Sequence, residues 1–294
     1  MIDSLADWTG VPVDVPRMLA CSEVGRIGSG TWRSPGSREG KRALSEDWEV
    51  QASVLELLSE RMASDAIKQS VDCIPATATF YGGNDASGTN TGACAYPNVL
   101  AMGYGTMNAA LSSAIFDHGK TCGACFQLVC TYVPYGNLRC LRGRITVTAT
   151  NYCPQGSKGG WCDAPRSHFD LAEPAFVQIA PYNAGVVHVD YQRVNCQRSG
   201  EIRYRLYGFT YFLQVLVYNV AGTGDVTAMS IKGSSEGRWI SMTRSWGQLW
   251  TTGVVLEHQA LSFMVTISDG RTITVNDVAN EYWRYGQTYE GGQF

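Results

Sequence analysis

The chain has 294 residues and a mass of 32.1 kDa, which is long enough for two domains of ordinary size. Hydrophobic residues make up 45% of the sequence and charged residues 17%, a balance that excludes a wholly disordered or collagen-like chain. The net charge of -3 lacks the basic excess of a general nucleic-acid-binding protein. No stretch approaches the roughly 20 consecutive apolar residues of a membrane-spanning helix. We therefore expect a globular protein that binds neither nucleic acid nor the membrane interior.

Residues 1–75 form an N-terminal extension with no assigned role. Gly, Ser and Pro are frequent in the first 40 residues, which is typical of coil. Apolar residues between 45 and 67 recur near helical spacing and predict one amphipathic helix. This helix either docks a partner or belongs to a loosely packed extension, and the terminal position favours the second interpretation. Residues 1–30 contain no basic start followed by an apolar run, so we recognise no signal peptide there.

Residues 76–198 contain short runs of alternating apolar residues that predict strands. Ile145, Val147 and Ala149 can point one way, and residues 187–191 form a second such run. Before both runs we predict one helix from Thr106 to about His118, ended by a glycine. These elements predict a small β-barrel.

Eight of the ten cysteines lie within the barrel segment, between residues 94 and 196. An even, clustered set indicates a disulfide framework, and oxidised folding implies a secreted protein. The spacing of Cys122 and Cys125 also fits a zinc site, but no second close pair follows, so we favour disulfides. Cys21 and Cys73 lie outside the cluster, and the sequence leaves open whether they pair or stay unpaired.

After residue 198 the cysteines end and strands dominate. A short polar segment predicts a linker at residues 199–206, followed by a domain at residues 207–294. Strands are predicted at residues 211–218, 226–232, 261–268 and 272–275, and the last two are joined by an Asp-Gly hairpin turn. The pattern predicts an all-β sandwich.

Eleven sequence blocks, in order along residues 76–294, resemble those of the plant expansins, most closely the α-expansin branch. The blocks are ATATFYGG (76–83), DASGT (85–89), GAC (92–94), GYGT (103–106), CGACF (122–126), VTATNYC (147–153), GWC (160–162), HFDL (168–171), GDV (224–226), SWG (245–247) and GQT (286–288). Residues 1–72 have no counterpart that we recognise.

The resemblance implies an all-β fold of two domains. The first is a six-stranded double-psi β-barrel, stapled by disulfides and like that of family-45 endoglucanases. The second is an immunoglobulin-like β-sandwich that binds cellulose. The implied disulfides are Cys94–Cys122, Cys125–Cys196, Cys130–Cys140 and, as an α-type addition, Cys153–Cys162. The resemblance implies no cofactor and no metal, and we expect a monomer.

The resemblance places a general acid at Asp170. An inverting hydrolase also needs a base carboxylate about 6.5–9.5 Å from the acid. In the related endoglucanases that base lies two residues after a Thr-x-Tyr run, where this chain has Gly83, which has no side chain. Asp85 and Asp163 are the other carboxylates that we consider. Asp85 is not favoured as a base, because geometry must come before pKa.

Three further residues are candidates for the groove beside the acid. Thr79 and Tyr81 alternate along one strand and therefore share a face. His168 either belongs to the groove or is a packed histidine with satisfied hydrogen bonds, and the second interpretation is favoured. Asn151 stands where other expansin branches carry an aspartate, which weakens the acidic site.

In the sandwich, a flat glucan requires aromatic faces that stack on its C–H surface. Trp246 matches the family's binding tryptophan, and Tyr211 or Phe212 is expected as its partner. Trp239, Trp250 and Trp283 are expected mainly in the core.

Three functions are consistent with these residues. The favoured one is nonlytic loosening of the plant cell wall, at acid pH, by disrupting noncovalent contacts between cellulose and matrix polysaccharides such as xyloglucan. The second is an inverting endoglucanase with Asp170 as general acid. The third is an inactive carbohydrate-binding wall protein.

Overall fold

The structure, a computed structural model, describes residues 73–131, 140–156 and 159–294. Ile74–Phe294 form one compact unit. The helix expected near residues 45–67 and Cys21 lie outside the described residues, whereas Cys73 is disulfide-bonded, which excludes the unpaired interpretation for that residue. Among the residues described, no helix is long and apolar enough to cross a membrane.

Six strands close into a barrel, as the resemblance implies. They are β1 (Ile74–Tyr81), β2 (Asn108–Leu111), β3 (Cys125–Cys130), β4 (Ile145–Tyr152), β5 (His168–Ala172) and β6 (Val187–Val194). Their order around the barrel is β1-β5-β2-β4-β3-β6. The pairs β1–β5 and β2–β4 are parallel, and the other four pairs are antiparallel.

Two short helices follow β2 and β5, namely α1 (Ser113–Phe116) and α2 (Glu173–Phe176). The helix predicted from Thr106 to His118 is therefore wrong over its first half, where β2 lies. All four residues of β2 are buried between β4 and β5, so pairing on both edges overrides the helix propensity of its alanines.

The barrel core confirms the alternation predicted for β4 and β6. Val187, Val189 and Tyr191 of β6 are buried. The ring of Tyr191 packs edge-on against Phe169, with 4.9 Å between ring centroids, and Phe126 completes the cluster. Such edge-to-face pairs stabilise a core beyond the area that they bury.

Four disulfides hold the barrel segment together, with the pairing that the resemblance implies: Cys94–Cys122, Cys125–Cys196, Cys130–Cys140 and Cys153–Cys162. Cys122 and Cys125, whose spacing also fits a zinc site, belong to two different bridges.

The second domain is a sandwich of two sheets. Its strands are β7 (Arg203–Phe209), β8 (Phe212–Tyr218), β9 (Val226–Gly233), β10 (Ile240–Ser241), β11 (Thr243–Trp246), β12 (Leu249–Thr252), β13 (Leu261–Ile267), β14 (Thr272–Ala279) and β15 (Thr288–Glu290). One sheet has the order β10-β9-β13-β14 and the other β11-β12-β8-β7-β15. β7 begins inside the segment expected as a linker, because Tyr204 and Leu206 are fully buried in the sandwich core.

Strand β8 belongs to two cores at once. Leu213, Val215 and Val217 face the sandwich core, whereas Leu216 and Tyr218 on the other face pack into the barrel core. Because side chains alternate along a strand, one face of β8 packs against the sandwich core and the other against the barrel core.

Two glycines allow the backbones of the domains to meet. Gly123 and Gly224 both have positive φ, of 89° and 81°. A Cβ on Gly123 would lie 2.5 Å from the carbonyl oxygen of Gly224. Any side chain here would force the domains apart.

Candidate functional site

Asp170 lies on β5, which pairs in parallel with β1 in the barrel. β1 and β5 pair so that Thr77 is opposite His168 and Thr79 is opposite Asp170. Parallel pairing in this register puts all four side chains in one row. Thus the strand pairing brings Thr79, His168 and Asp170 together, as expected for the groove.

These four side chains form one chain of hydrogen bonds. The hydroxyl of Thr79 donates to Asp170 Oδ1 at 2.8 Å. Because that hydroxyl has only one proton, it accepts from His168 Nε2 at 2.9 Å. His168 Nδ1 is then the acceptor for the hydroxyl of Thr77, at 2.7 Å. The network thereby assigns the Nε2–H tautomer to His168.

Burial decides the protonation of the two titratable groups. Desolvation lowers the pKa of His168 to about 4, so its ring is neutral above that pH. Desolvation also raises the pKa of Asp170, although the hydrogen bond from Thr79 opposes the shift. His168 is fully buried and cannot contact a ligand, so we assign it as a positioning residue for Thr79.

Tyr81 and Asn151 continue the groove away from Asp170. Asn151 Nδ2 donates to the hydroxyl oxygen of Tyr81 at 3.4 Å. Its Oδ1 accepts the backbone N–H groups of Ala93 and Tyr152, each at 2.8 Å. Three hydrogen bonds therefore fix the orientation of the Asn151 amide. We call Thr79, Tyr81, Asn151 and Asp170 the barrel groove.

The position expected for a base offers limited space. A Cβ on Gly83 would lie 2.7 Å from Ser87 Oγ and 3.1 Å from Asp85 Oδ1. The carboxylate of Asp85 thus lies beside the empty position, where it accepts the N–H of Ser87 at 2.8 Å. Hydrogen bonds from Ser87 lower the pKa of Asp85. Asp163, the other carboxylate considered, accepts backbone N–H groups of its own loop.

Trp161 is a neighbour of this site that the sequence reasoning missed. Its ring stacks on His168, with 6.2 Å between centroids and 22° between planes, and 45% of the residue is exposed. The available signal was the position of this tryptophan, next to Cys162 and seven residues before His168.

The sandwich presents three aromatic side chains on the outer face of one sheet. Trp246 pairs with Leu249, which pairs with Leu216, and Phe212 lies on the same face four residues before Leu216. Phe212 in turn faces Phe209 across the hairpin, with 5.9 Å between ring centroids. We call Trp246, Phe212 and Phe209 the aromatic platform.

The three platform residues are exposed and lie in strands on one sheet face. Trp246 is 45%, Phe212 39% and Phe209 62% exposed, and Phe209 was missed because its partnership with Phe212 needs the hairpin register. Tyr211 is exposed too, but it lies in the turn before β8 rather than in the strand as predicted.

The remaining tryptophans have other surroundings. Trp250 and Trp283 are buried in the sandwich core, as expected. Trp239 is half-buried, and the ammonium of Lys232 lies 5.1 Å from its ring centroid.

The two sites approach each other at the domain junction. The ring of Trp246 lies 6.1 Å from that of buried Phe116, which lies 5.0 Å from Tyr152. Tyr152 directly follows Asn151 of the barrel groove. Aromatic contacts therefore link the end of the barrel groove to the aromatic platform.

Comparisons with known proteins agree with this architecture. Residues 202–279 match the family model of the expansin C-terminal domain, and residues 108–191 match a family model described as lytic transglycolase. Expansin-A25 of Arabidopsis thaliana is 48% identical over 219 residues, covering 74% of this chain and 78% of that protein. Expansin-A19 of Oryza sativa subsp. japonica is 48% identical over 221 residues, covering 74% and 88%.

A solved structure shows the same fold at lower identity. The crystal structure of apo Clavibacter michiganensis expansin has a TM-score of 0.57 and 20% identity, covering 75% of this chain and 97% of that one. The plant relatives, at 48% identity and with most of their length covered, show that this chain belongs to the expansin family, in its α-expansin branch.

Proposed function

We propose that this chain loosens the plant cell wall without cutting glucan chains, by disrupting noncovalent contacts between cellulose and matrix glucans. Loosening of the cell wall is the activity of the expansin family, to which the chain belongs. The proposal adds a mechanism, a pH dependence and the residues that carry them.

The observation that carries the proposal is an acid without a matching base. Asp170 has a raised pKa and a fixed hydrogen bond to Thr79, so it can act as a proton or hydrogen-bond donor. The position opposite it in related hydrolases is Gly83, whose missing side chain cannot activate water. Bond cleavage is disfavoured when only the acid is present.

An acid alone can still compete for hydrogen bonds. A protonated Asp170 carboxyl donates to a glucan oxygen that otherwise accepts from a neighbouring glucan chain, and no covalent bond breaks. Charged or strongly polar donors of this kind are worth more in a partly buried site than in water. Because the pKa of Asp170 is raised, the donating form persists to higher pH than in an exposed aspartate, which supports acid-favoured activity.

The aromatic platform supports cellulose as the surface to which the protein binds. Stacking of a sugar on one exposed aromatic ring resembles base stacking on aromatic side chains, worth about 1–3 kcal/mol each. A Clavibacter michiganensis expansin has been solved in complex with cellohexaose, and that likeness supports the same ligand class here. We propose matrix polysaccharides such as xyloglucan as further ligands, because the barrel groove must also contact the glucan chains that are separated from cellulose.

The cell wall outside the cell is the proposed location. Four disulfides in the barrel segment suit an oxidising, extracellular compartment. We further propose that the protein acts as a monomer.

Hydrolysis is the second candidate function, and one observation favours it. Asp85 Oδ1 lies 3.1 Å from the place where a Gly83 side chain would begin. Its lowered pKa keeps this carboxylate ionised, as a base must be, but also makes it a weak base. The turn that holds Asp85 against Ser87 further restricts its reach.

One experiment separates the candidates. Heat-inactivated plant wall strips are held under constant load with purified protein at acid and neutral pH, and the bath is assayed for reducing sugar. We expect extension at acid pH without sugar release. Sugar release that disappears in Asp85→Asn would establish the hydrolase instead, and neither extension nor sugar would leave an inactive carbohydrate-binding protein.

A further inference from the structure

Trp161 has an exposed indole and lies in a loop that hydrogen bonds and a disulfide constrain. Single exposed apolar side chains are common on protein surfaces, so a binding role depends on how this indole is held and on what lies beside it. The ring stacks on the buried imidazole of His168, and the guanidinium of Arg166 lies near it. About half of the side chain is left accessible at the edge of the barrel groove.

Two side chains and one disulfide constrain the loop that carries Trp161. The carboxylate of Asp163 accepts the N–H of Gly156 at 3.0 Å and those of Gly159 and Gly160 at 2.8 Å. Arg166 Nη1 donates to the carbonyls of Gly159 and Gly160, at 2.7 and 3.0 Å. The Cys153–Cys162 bridge ties the residue after Trp161 to the end of β4. A side chain presented this way loses little entropy when it binds.

The charged side chains near Trp161 in the loop, Asp163 and Arg166, both form hydrogen bonds with backbone groups of that loop. Asp163 binds only N–H groups of its own loop, and Arg166 is held by two carbonyls while its guanidinium lies 5.6 Å from the Trp161 ring centroid. His168 is neutral above a pH of about 4. The exposed part of the indole is therefore aromatic and uncharged, beside a guanidinium that keeps its positive charge, which suits an uncharged sugar rather than a cation.

The position of Trp161 connects it to the acid. From the ring of His168, hydrogen bonds lead through Thr79 to Asp170, so two residues separate the indole from the carboxyl. A glucan chain whose oxygen reaches Asp170 extends beyond it in both directions, so a neighbouring sugar ring can lie on an aromatic surface beside the groove.

We propose that Trp161 is a sugar-stacking residue of the barrel, forming a binding subsite for a β-1,4-glucan chain that is separate from the aromatic platform. This inference rests on the proposed function for the choice of ligand. Asp163, Arg166 and the Cys153–Cys162 bridge act as positioning groups, since they hold the loop that carries the indole.

The test measures binding of cellohexaose to the full-length protein, by calorimetry, in a Trp246→Ala background that weakens the aromatic platform. We expect this variant to keep measurable binding, and the added Trp161→Ala change to weaken it about tenfold or more, since one stacked ring contributes about 1–3 kcal/mol. Trp161→Phe should restore part of the loss. Tyr282→Ala, which removes an exposed aromatic elsewhere on the sandwich, serves as the matched control and should change nothing.

Two outcomes would overturn the inference. One is equal affinity of the Trp246→Ala protein with and without Trp161. The other is no cellohexaose binding once Trp246 alone is replaced, because the barrel would then hold no sugar by itself. Melting temperatures verify folding, and Trp161→Phe keeps the test valid if the alanine variant misfolds. Wall extension is measured in parallel, so failure of the loosening activity is distinguished from failure of this subsite.

Discussion

A buried histidine sets the state of the acid at the centre of the barrel groove. Because His168 is neutral and donates from Nε2, the hydroxyl of Thr79 must point its single proton at Asp170. The donor to Oδ1 is thereby fixed, and the second carboxyl oxygen is left for a ligand. His168, for which the sequence favoured a packed histidine with satisfied hydrogen bonds, thus orients the hydroxyl of Thr79.

Replacing the acid by its amide tests this arrangement. Asp170→Asn keeps the size of the side chain and an oxygen that can accept from Thr79, so we expect normal folding. Wall extension at acid pH should fall to background, because an amide N–H is a weaker hydrogen-bond donor than a protonated carboxyl and does not titrate. The measurement is creep of wall strips under load. Asp269→Asn, an exposed carboxylate in the β13–β14 turn, is the matched control, and near-normal creep in Asp170→Asn would refute the role of the acid.

The pH dependence of activity follows from the direction of the Asp170 shift. A raised pKa means that the protonated carboxyl is populated at low pH and lost as the pH rises through its folded value, which lies above 3.8. We expect creep to decline with increasing pH along the titration of this one carboxyl. Carboxyl resonances followed by NMR should show the same midpoint as the creep profile, and midpoints that differ clearly would contradict the assignment.

His168 makes the stability respond to pH in the opposite sense. Its pKa is about 4 in the folded protein and 6.5 in the unfolded chain, so protonation favours unfolding as the pH falls between these values. The loss between pH 7 and 4.5 should be about 2 to 3 kcal/mol in the free energy of unfolding. Denaturant unfolding at the two pH values measures it. His168→Gln should lower stability at pH 7 but remove this part of the pH dependence, and an unchanged pH dependence would argue against a neutral buried ring.

At the scale of elements, neighbours decide what a local pattern becomes. The run Asn108–Leu111 contains two alanines and reads as helix, yet it is a strand because β4 and β5 pair with it on both edges. In contrast, β13 and β14 alternate strongly and are joined by a short turn, and there the prediction is confirmed.

The hairpin of β7 and β8 leads to a prediction about binding. It places Phe209 and Phe212 together, on the sheet face that also carries Trp246, roughly 16 Å away by strand geometry. Trp246→Ala combined with Phe212→Ala should lose most cellulose binding, about a hundredfold if each stacked ring contributes 1–3 kcal/mol. Pull-down on crystalline cellulose measures this. Tyr282→Ala is the control, and retained pull-down by the double variant would exclude the aromatic platform as the binding surface.

The disulfides should contribute to stability according to the chain that each closes. Cys125–Cys196 joins residues 71 apart, and Cys130–Cys140 joins residues 10 apart. Loop entropy predicts a loss of about 4 kcal/mol when the first pair is changed to serine and about 3 kcal/mol for the second. Denaturant midpoints compare the two double variants. A greater loss for the short loop would mean that native packing, rather than chain entropy, dominates.

For the whole molecule, the junction makes barrel and sandwich a single unit. The buried side chain of Gln248 donates to the carbonyl of Cys122 at 2.6 Å, and Arg193 of the barrel pairs with buried Asp225 of the sandwich at 2.5 Å. Leu216 and Tyr218 of the sandwich lie in the barrel core. These contacts fix the barrel groove relative to the aromatic platform, as required if one glucan chain is to contact both.

Adding one methyl group at this junction should therefore affect both domains. Gly224→Ala places a Cβ against the backbone of Gly123 at a positive φ, and we expect a loss of about 2 kcal/mol or more. Scanning calorimetry should show one transition for the native protein and a lowered or split transition for the variant. Gly237→Ala, where a Cβ meets nothing within 4 Å, is the control. An unchanged transition in Gly224→Ala would show that the close approach of the two backbones is not rigid.

The sequence by itself determined the features that repeat at short range or match a family. Alternation along β4 and β6 specified which residues are inside, because strand side chains repeat every two residues. The clustered cysteines indicated oxidised folding, and the motif blocks identified the family, whose resemblance implied an acid role for Asp170 and a binding role for Trp246. Each of these depends on residues whose spacing along the chain is itself the signal.

Tertiary structure decided what depends on register between distant segments. Asp170 meets Thr79 across 91 residues because β1 and β5 run parallel in one particular register, and the same register buries His168. The Cys153–Cys162 bridge and the loop bonds bring Trp161 onto His168, and the packing of β8 against two cores joins the groove to the platform. These contacts arise from pairing and burial of the whole chain, for which local spacing contains no information.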